Sequence, residues 1–141
     1  MSIESFDDVL PVPDVTTEPY WAGARERKLL IQKCAECGNL QHYPRAVCIR
    51  CSSDKFNWTV SCGRGSVDSF TTVYRAPSGS FSPPYIVARV RLEEGPVILT
   101  QIVDAFVPDV HCGQLVQLNW KVLSDGNYLP VFSPAESVNL R

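Results

Sequence analysis

The sequence predicts a mostly β protein, built from a short N-terminal helix, a four-cysteine metal-binding ribbon and a small closed β-barrel. Three observations carry this prediction. Four of the six cysteines lie in two Cys-x-x-Cys pairs within residues 34–51. From Trp58 onward, stretches of alternating apolar character are separated by turns rich in glycine and proline, a pattern typical of an all-β barrel. Helical spacing of apolar residues is found only ahead of the cysteines.

Length and composition indicate a folded protein of one or two small domains. The chain has 141 residues, of which 45% are hydrophobic and 20% are charged. No apolar run approaches the roughly 20 residues of a membrane helix. The first residues are acidic and lack the apolar stretch of a signal peptide. We therefore expect a cytoplasmic protein, and in the cytoplasm paired cysteines bind metal more often than they form disulfides.

Residues 1–28 are predicted to form an extended arm followed by a helix. The helix is expected within residues 17–30, with Thr17 at its N-cap. Tyr20 and Trp21 fall on one face of this helix, and we expect them to pack in the core. Docking of this aromatic pair on another chain is the alternative.

Residues 29–55 are predicted to form the metal-binding ribbon. The spacing C-x2-C-x10-C-x2-C is that of two knuckles that direct four thiolates at one metal ion. Four ligands leave no open position, which favours one structural zinc ion per chain, although an iron centre could use the same ligands. His42 would be a fifth ligand, so we interpret it as a surface or packing residue. The predicted metal ligands are Cys34, Cys37, Cys48 and Cys51.

The remaining cysteines give little indication of catalysis. We expect Cys62 and Cys112 each to fill a small hydrophobic space. His111 adjoins Cys112, but neighbouring residues on a strand point to opposite faces. The sequence contains no recognisable catalytic triad, carboxylate pair or HExxH motif, so no catalytic residue is predicted.

Residues 56–141 are predicted to form the β-barrel. Gly63 and Gly65 are expected to mark a bulge or a barrel corner. A short stretch at 129–132 could add a last strand. The five longer predicted strands are residues 57–62, 64–75, 84–92, 96–103 and 114–122.

Together these segments resemble the proteins of the DUF35 family. The matching stretches are EPYW (18–21), LIQKCAECG (30–38), YPRAVCIRCSS (43–53), Trp58, GRGSVDSFT (63–71), PPYIVARVRLEEG (83–95), CGQLVQLNW (112–120) and LPVFSP (129–134). The resemblance implies a rubredoxin-like four-cysteine zinc ribbon followed by a five-stranded OB-fold Greek-key barrel.

The resemblance also implies a function. Members of this family are typically accessory subunits, or fused domains, of thiolase-fold enzymes that act on acyl-CoA, such as thiolases, aldolases and acyltransferases. The partner chain then carries the catalytic residues, and the DUF35 chain docks on it and can contact the CoA arm. Arg45, between the knuckles, is a candidate contact for a CoA phosphate or for an acidic patch of the partner. Phe81, in the loop at 77–84, is a second candidate contact for CoA or the partner; a plain surface loop is the alternative.

Binding of single-stranded nucleic acid is the competing hypothesis, because many OB-folds bind it through basic grooves and aromatic side chains. The sequence offers aromatic residues and the pair Arg89 and Arg91 on one strand face. However, the formal net charge is −2, and the seven acidic residues after position 55 outnumber the six basic ones. This charge distribution argues against nucleic acid.

Overall fold

A computed structural model describes residues 10–77 and 82–135 of the chain. It confirms a mostly β fold with one short helix, a four-cysteine cluster and a closed five-stranded barrel after it. The elements in chain order are α1 (Glu18–Arg25), β1 (Leu30–Cys34), β2 (Leu40–Gln41), β3 (Phe56–Val60), β4 (Arg64–Val73), β5 (Tyr85–Leu92), β6 (Val97–Ile102), a single 3-10 turn (Val107–Asp109), β7 (Leu115–Val122) and β8 (Tyr128–Pro134).

The cysteine ribbon is built on a three-stranded antiparallel sheet of order β2-β1-β3. Strand β3 pairs with β1 over five residues, from Leu30 opposite Val60 to Cys34 opposite Phe56. The sequence placed this strand at the start of the barrel segment, and the structure instead places it in the ribbon sheet. The physical reason is that alternation specifies which face of a strand is buried, whereas register and partner depend on the neighbouring strands. On its other edge β1 has only the two-residue β2, so β3 supplies most of its pairing.

The barrel has the strand order β4-β5-β6-β8-β7 and closes between β7 and β4. Its ladders are antiparallel except that of β6 and β8, which are parallel and pair only at Ile102 and Phe132. This is the order of a five-stranded Greek-key OB barrel. The short stretch predicted at 129–132 lies within β8 and completes the barrel. Along β5, buried residues alternate with outward-facing ones such as Arg89 and Arg91.

Gly65 lies where the backbone of β4 is packed tightly against β5. A Cβ at this position would lie 2.6 Å from the carbonyl oxygen of Arg91 and 2.8 Å from Cγ1 of Val90. Real Cβ atoms do not approach backbone so closely, so only glycine fits there. Gly65 therefore has a steric role, whereas the bulge of β4 lies between Val67 and Ser69 and not at the predicted glycines.

Helix α1 packs against both parts of the protein, because it contacts β1 of the ribbon and β8 of the barrel. Thr17 occupies the N-cap position as predicted, but its side chain makes no bond to the helix and instead accepts the Asp14 N–H at 3.0 Å. The Asp14 carboxylate in turn accepts the backbone N–H of Thr17 at 2.9 Å. Tyr20 and Trp21 are buried in the core, which confirms their predicted packing role. No helix in the described part of the chain is long and apolar enough to cross a membrane.

Candidate metal centre

The two Cys-x-x-Cys pairs meet at one point. The four sulfur atoms all lie within 4.8 Å of one another. The Sγ–Sγ distance is 3.6 Å between Cys34 and Cys51 and 3.7 Å between Cys37 and Cys48. Thiolates at the usual zinc–sulfur distance of about 2.3 Å form a tetrahedron with edges of about 3.8 Å. The spacing of the sulfurs therefore fits one zinc ion.

The two knuckles have the same backbone design. In the first, the N–H of Gly38 donates to the carbonyl of Cys34 at 3.0 Å, and in the second the N–H of Ser52 donates to that of Cys48 at 2.9 Å. Both turn residues have a left-handed backbone, with φ of 77° at Gly38 and 68° at Ser52. Glycine adopts this conformation freely, whereas serine incurs a cost of about 1 kcal/mol. The repeated turn directs the two cysteines of each pair toward the same point.

Backbone N–H groups within the knuckles stabilise the thiolate form of Cys34 and Cys48, the form that a metal requires. The N–H groups of Glu36 and Cys37 lie 3.3 and 3.4 Å from the Cys34 sulfur, and the Arg50 N–H lies 3.3 Å from the Cys48 sulfur. The N–H of Cys37 is the main cause that lowers the pKa of Cys34. Burial opposes ionisation of Cys48, but backbone donors outweigh it and lower its pKa to about 6. Deprotonated sulfurs are the ligands that zinc binds.

The residues of this centre fit a structural metal ion and not a catalytic one. Cys34 and Cys48 are almost fully buried, and all four donors are sulfur, as in closed zinc sites without a position for substrate or water. All six cysteines are free thiols, so no disulfide competes for the ligands. His42 is not part of the cluster, which agrees with its interpretation as a packing or surface residue.

Two buried glutamines fix the loop between the knuckles, and sequence reasoning missed both. Gln32 holds the backbone of Arg45 from both sides, donating to its carbonyl at 2.8 Å and accepting its N–H at 3.0 Å. Gln41 donates to the Gln32 side chain at 2.6 Å, contacts the Val47 carbonyl at 3.3 Å and accepts the Ile49 N–H at 3.0 Å. The only signal in the sequence was that each glutamine occupies an inward-facing strand position, where the alternating pattern predicts an apolar side chain.

An aromatic cluster attaches the same loop to helix α1. The Trp21 indole N–H donates to the Tyr43 hydroxyl at 3.0 Å. The ring of Tyr20 lies 4.9 Å from that of Trp21 and 5.4 Å from that of Tyr43, centroid to centroid. His42 is half-buried in this cluster, where burial, followed by the charge of Arg45, lowers its pKa to about 4. The loop is thus held by the ribbon on one side and by the helix on the other.

The structure describes only one of the two predicted contact residues. Arg45 is exposed, and only its backbone takes part in the glutamine network. Phe81 lies outside the described residues. Their assignment as CoA or partner contacts therefore stays a prediction.

The expectation that Cys62 and Cys112 fill hydrophobic spaces is wrong, because both are exposed. Cys62 follows the end of β3 and donates its thiol to Glu93 at 3.6 Å, and Cys112 lies in a surface turn before β7. An N–H of Arg64 favours the Cys62 thiolate, but desolvation and the carboxylates of Glu94 and Glu93 raise its pKa overall. This environment disfavours a nucleophilic thiolate.

Comparison with known proteins supports the assignment of a zinc ribbon followed by an OB-fold barrel. Residues 21–57 match the family described as the ChsH2 rubredoxin-like zinc ribbon domain. Residues 58–121 match the ChsH2 C-terminal OB-fold domain. Together with the four-cysteine cluster, the first match confirms the prediction of structural zinc.

Three curated relatives share about a third of their residues with this chain. A probable enoyl-CoA hydratase alpha subunit of Thermomonospora curvata is 34% identical over 82% of the chain, which spans only 36% of that protein's length. A DUF35 domain-containing scaffold protein of Pyrococcus furiosus is 36% identical over 70% of the chain and 74% of its own length. The benzoylsuccinyl-CoA thiolase subunit BbsA of Geobacter metallireducens is 30% identical over 89% of the chain and 80% of its own length.

Among solved structures, a chain of the Ltp2-ChsH2(DUF35) aldolase is similar with a TM-score of 0.83 and 32% identity. The similarity covers 89% of this chain and 98% of that one. The shared fold, the cysteine ribbon and these relatives show that the chain belongs to the DUF35 family.

Proposed function

We propose that this chain is a non-catalytic, zinc-binding accessory subunit of an enzyme complex that acts on acyl-CoA thioesters. In this proposal a thiolase-fold partner carries the catalytic residues and breaks or forms a carbon–carbon bond. The observation that carries the proposal is the similarity over nearly the whole chain to one chain of an aldolase and to a thiolase subunit. A cytoplasmic location is part of the same proposal.

The chemistry of the chain supports an accessory role. In residues 10–77 and 82–135, the four clustered cysteines form a closed set, and the two other cysteines are exposed. The histidines contribute little, since His42 is held neutral among aromatic rings and His111 contacts only nearby groups on a loop. A nucleophile needs an adjacent base, and although the Cys62 thiol contacts the Glu93 carboxylate, the raised pKa of this thiol disfavours a nucleophilic thiolate.

Contact with the CoA arm is a further part of the proposal. Arg45 lies in a loop whose backbone is held by Gln32 and Gln41, so its backbone position is set by contacts within this chain. We propose Arg45 as the contact for a phosphate of CoA or for a carboxylate of the partner, and Phe81 as a second contact with either.

Charge pairing on the barrel gives the nucleic-acid alternative little support. Arg89 and Arg91 both lie within ion-pair distance of Asp68, at 3.4 and 3.9 Å. Since an acidic side chain lies between these two bases, the strand face does not offer the run of unpaired cations that a nucleic-acid backbone requires.

Co-expression tests the proposal. The chain is produced alone and together with a candidate thiolase-fold protein from the same organism, and the products are compared by affinity purification and size exclusion. We expect a stable hetero-oligomer, one zinc per DUF35 chain by elemental analysis, and acyl-CoA turnover by the complex but not by this chain. A partner that fails to co-purify and is fully active alone would refute the accessory role. Salt-sensitive binding of single-stranded DNA would support the alternative instead.

A further inference from the structure

The four cysteines of the metal centre differ in their exposure to solvent. Cys34 and Cys48, the first cysteine of each knuckle, are each 1% exposed. Cys37 and Cys51, the second cysteine of each knuckle, lie at the surface. A reagent in solution therefore reaches two of the four sulfur ligands directly, although the ligand set itself is closed.

The surface beside Cys37 is open, and its sulfur has no hydrogen-bond donor. A Cβ at Gly38, the next residue, would meet no atom within 4 Å apart from its chain neighbours. The Cys37 sulfur accepts no N–H hydrogen bond from the described residues, whereas the buried sulfurs of Cys34 and Cys48 both do. Because such donors reduce the nucleophilicity of a thiolate, Cys37 is both the accessible and the more nucleophilic ligand of its knuckle.

Each exposed sulfur lies beside a buried sulfur of the other knuckle. The Sγ–Sγ distance is 3.7 Å from Cys37 to Cys48 and 3.6 Å from Cys51 to Cys34. A disulfide bond is about 2.05 Å long, so the two sulfurs of each pair have to approach by only about 1.6 Å.

A disulfide within one Cys-x-x-Cys turn is opposed by the hydrogen bonds of that turn. In the first knuckle the N–H of Cys37 binds the Cys34 sulfur at 3.4 Å, and the N–H of Gly38 binds the Cys34 carbonyl at 3.0 Å. These bonds direct the two sulfurs at a common metal and not at each other. Oxidation of the centre is therefore expected to join sulfurs of different knuckles.

We propose that the ribbon is a peroxide-sensitive modification site, at which two disulfides between the knuckles replace the metal ion. The exposed Cys37 sulfur attacks hydrogen peroxide, takes one oxygen to become a sulfenic acid, and releases hydroxide. The Cys48 sulfur then attacks the Cys37 sulfur, and a second hydroxide leaves as the disulfide forms. The two thiolates lose two electrons, the peroxide gains two, and two protons from solvent convert the hydroxides to water.

Loss of the metal follows from loss of its ligands. Once Cys37 and Cys48 are joined, only Cys34 and Cys51 remain as thiolates, and two ligands are too few for a structural zinc site. A second peroxide joins these two by the same steps. A thiol reductant regenerates the four thiolates, so the exchange is reversible. The exchange concerns the metal centre alone and does not depend on the proposed function.

Peroxide titration of the zinc-loaded, full-length chain tests the exchange. Cys62→Ser and Cys112→Ser are combined in one variant, because both cysteines are exposed and their removal leaves only the ligand thiols. Zinc release is followed with a chromogenic chelator, and unreacted thiols are blocked with N-ethylmaleimide. We expect about two equivalents of hydrogen peroxide to release the zinc, and dithiothreitol with added zinc to restore it. Retention of zinc in a large excess of peroxide would overturn the proposal.

Peptide mapping identifies the cysteine pairs. Trypsin and a glutamate-specific protease together place each ligand cysteine on its own peptide, because cleavage sites lie between all four. The four peptides are residues 34–36, 37–45, 46–50 and 51–55. We expect 37–45 to be linked to 46–50, and 34–36 to be linked to 51–55. Any other pairing as the main product, above all a disulfide within one knuckle, would overturn the proposal.

Gly38→Ser tests the access of peroxide to Cys37. The second knuckle has Ser52 at the equivalent position, also with a left-handed backbone, so this turn accepts serine. We expect the added side chain to slow formation of the Cys37–Cys48 disulfide about threefold. Gly126→Ser is the matched control, because Gly126 also has a left-handed backbone and open surroundings but lies in the turn between β7 and β8.

The zinc content of each variant is measured before peroxide is added, so that a damaged metal centre is recognised. The rate for Gly126→Ser should equal that of the parent. An equally unchanged rate for Gly38→Ser would overturn the assignment of Cys37 as the site of attack.

Discussion

Replacing His42 tests how completely the aromatic cluster excludes water. The imidazole lies 5.5 Å from the ring of Tyr20 and 5.3 Å from that of Tyr43, centroid to centroid. Burial and the nearby charge of Arg45 lower its pKa from 6.5 to about 4. The folded state therefore favours the neutral imidazole, and protonation must work against folding.

The sign and size of the effect follow from proton linkage. Between about pH 6.5 and pH 4 the unfolded chain binds a proton at His42 that the folded chain does not, so stability falls as the pH falls. The shift corresponds to a loss of about 2 kcal/mol between pH 7 and pH 5, and of about 3 kcal/mol once the pH is below 4. The loss is absent above pH 7, where the imidazole is neutral in both states.

Urea unfolding of the zinc-loaded protein, followed by tryptophan fluorescence near pH 7 and near pH 5, measures this loss. His42→Phe keeps an aromatic ring and removes the titration, so we expect it to lose about 2 kcal/mol less than the wild type over this range. Titration of thiolates and carboxylates is common to both proteins and cancels in the comparison. His111→Phe, at the exposed histidine, is the matched control and should follow the wild type. Equal losses for the wild type and His42→Phe would show that His42 is hydrated in the folded state.

Three further substitutions test contacts elsewhere. Gln41→Leu leaves backbone groups of the loop without partners, so we expect the free energy of unfolding to fall by about 2–4 kcal/mol in the same urea assay. The exposed Gln117→Leu should lower it by less than about 0.5 kcal/mol, and equal losses for the two variants would contradict the network. Gly65→Ala places a methyl group 2.6 Å from the backbone of β5, so the free energy of unfolding should fall by about 2–3 kcal/mol and the thermal midpoint by several degrees. An unchanged midpoint would show that the two strands can separate there. A double-mutant cycle of Trp21→Phe and Tyr43→Phe should give a coupling energy of about 1 kcal/mol, and strict additivity would argue against their hydrogen bond.

The parts of the fold that follow from local chemistry could be predicted from the sequence. The spacing of Cys34, Cys37, Cys48 and Cys51 determines the metal centre, because each knuckle is a short turn with its own hydrogen bonds. The barrel strands follow from alternation, and each lies within three residues of its predicted bounds. The core position of Tyr20 and Trp21 also follows from the spacing of a single helix.

The parts that depend on which segments meet could not be predicted. Whether β3 joins the ribbon or the barrel depends on the pairing needs of β1, which leave no trace in the sequence of β3. Gln32 and Gln41 are polar residues at buried positions, and only the loop that they bind explains them. Cys62 was expected to be buried on residue type alone, but the carboxylates beside it come from residues 93 and 94, in the turn that follows β5.

The metal centre fixes the loop between the knuckles. The cysteine pairs hold the two ends of this loop, the glutamines hold its middle, and the indole of Trp21 binds the hydroxyl of Tyr43. The barrel core around Phe132 contains no metal ligand, so its packing does not depend directly on zinc. Metal loss would therefore release the loop while most barrel contacts remain. On this reasoning a closed zinc site, which has no catalytic reaction of its own, acts by fixing Tyr43 and the backbone of Arg45 in the folded chain.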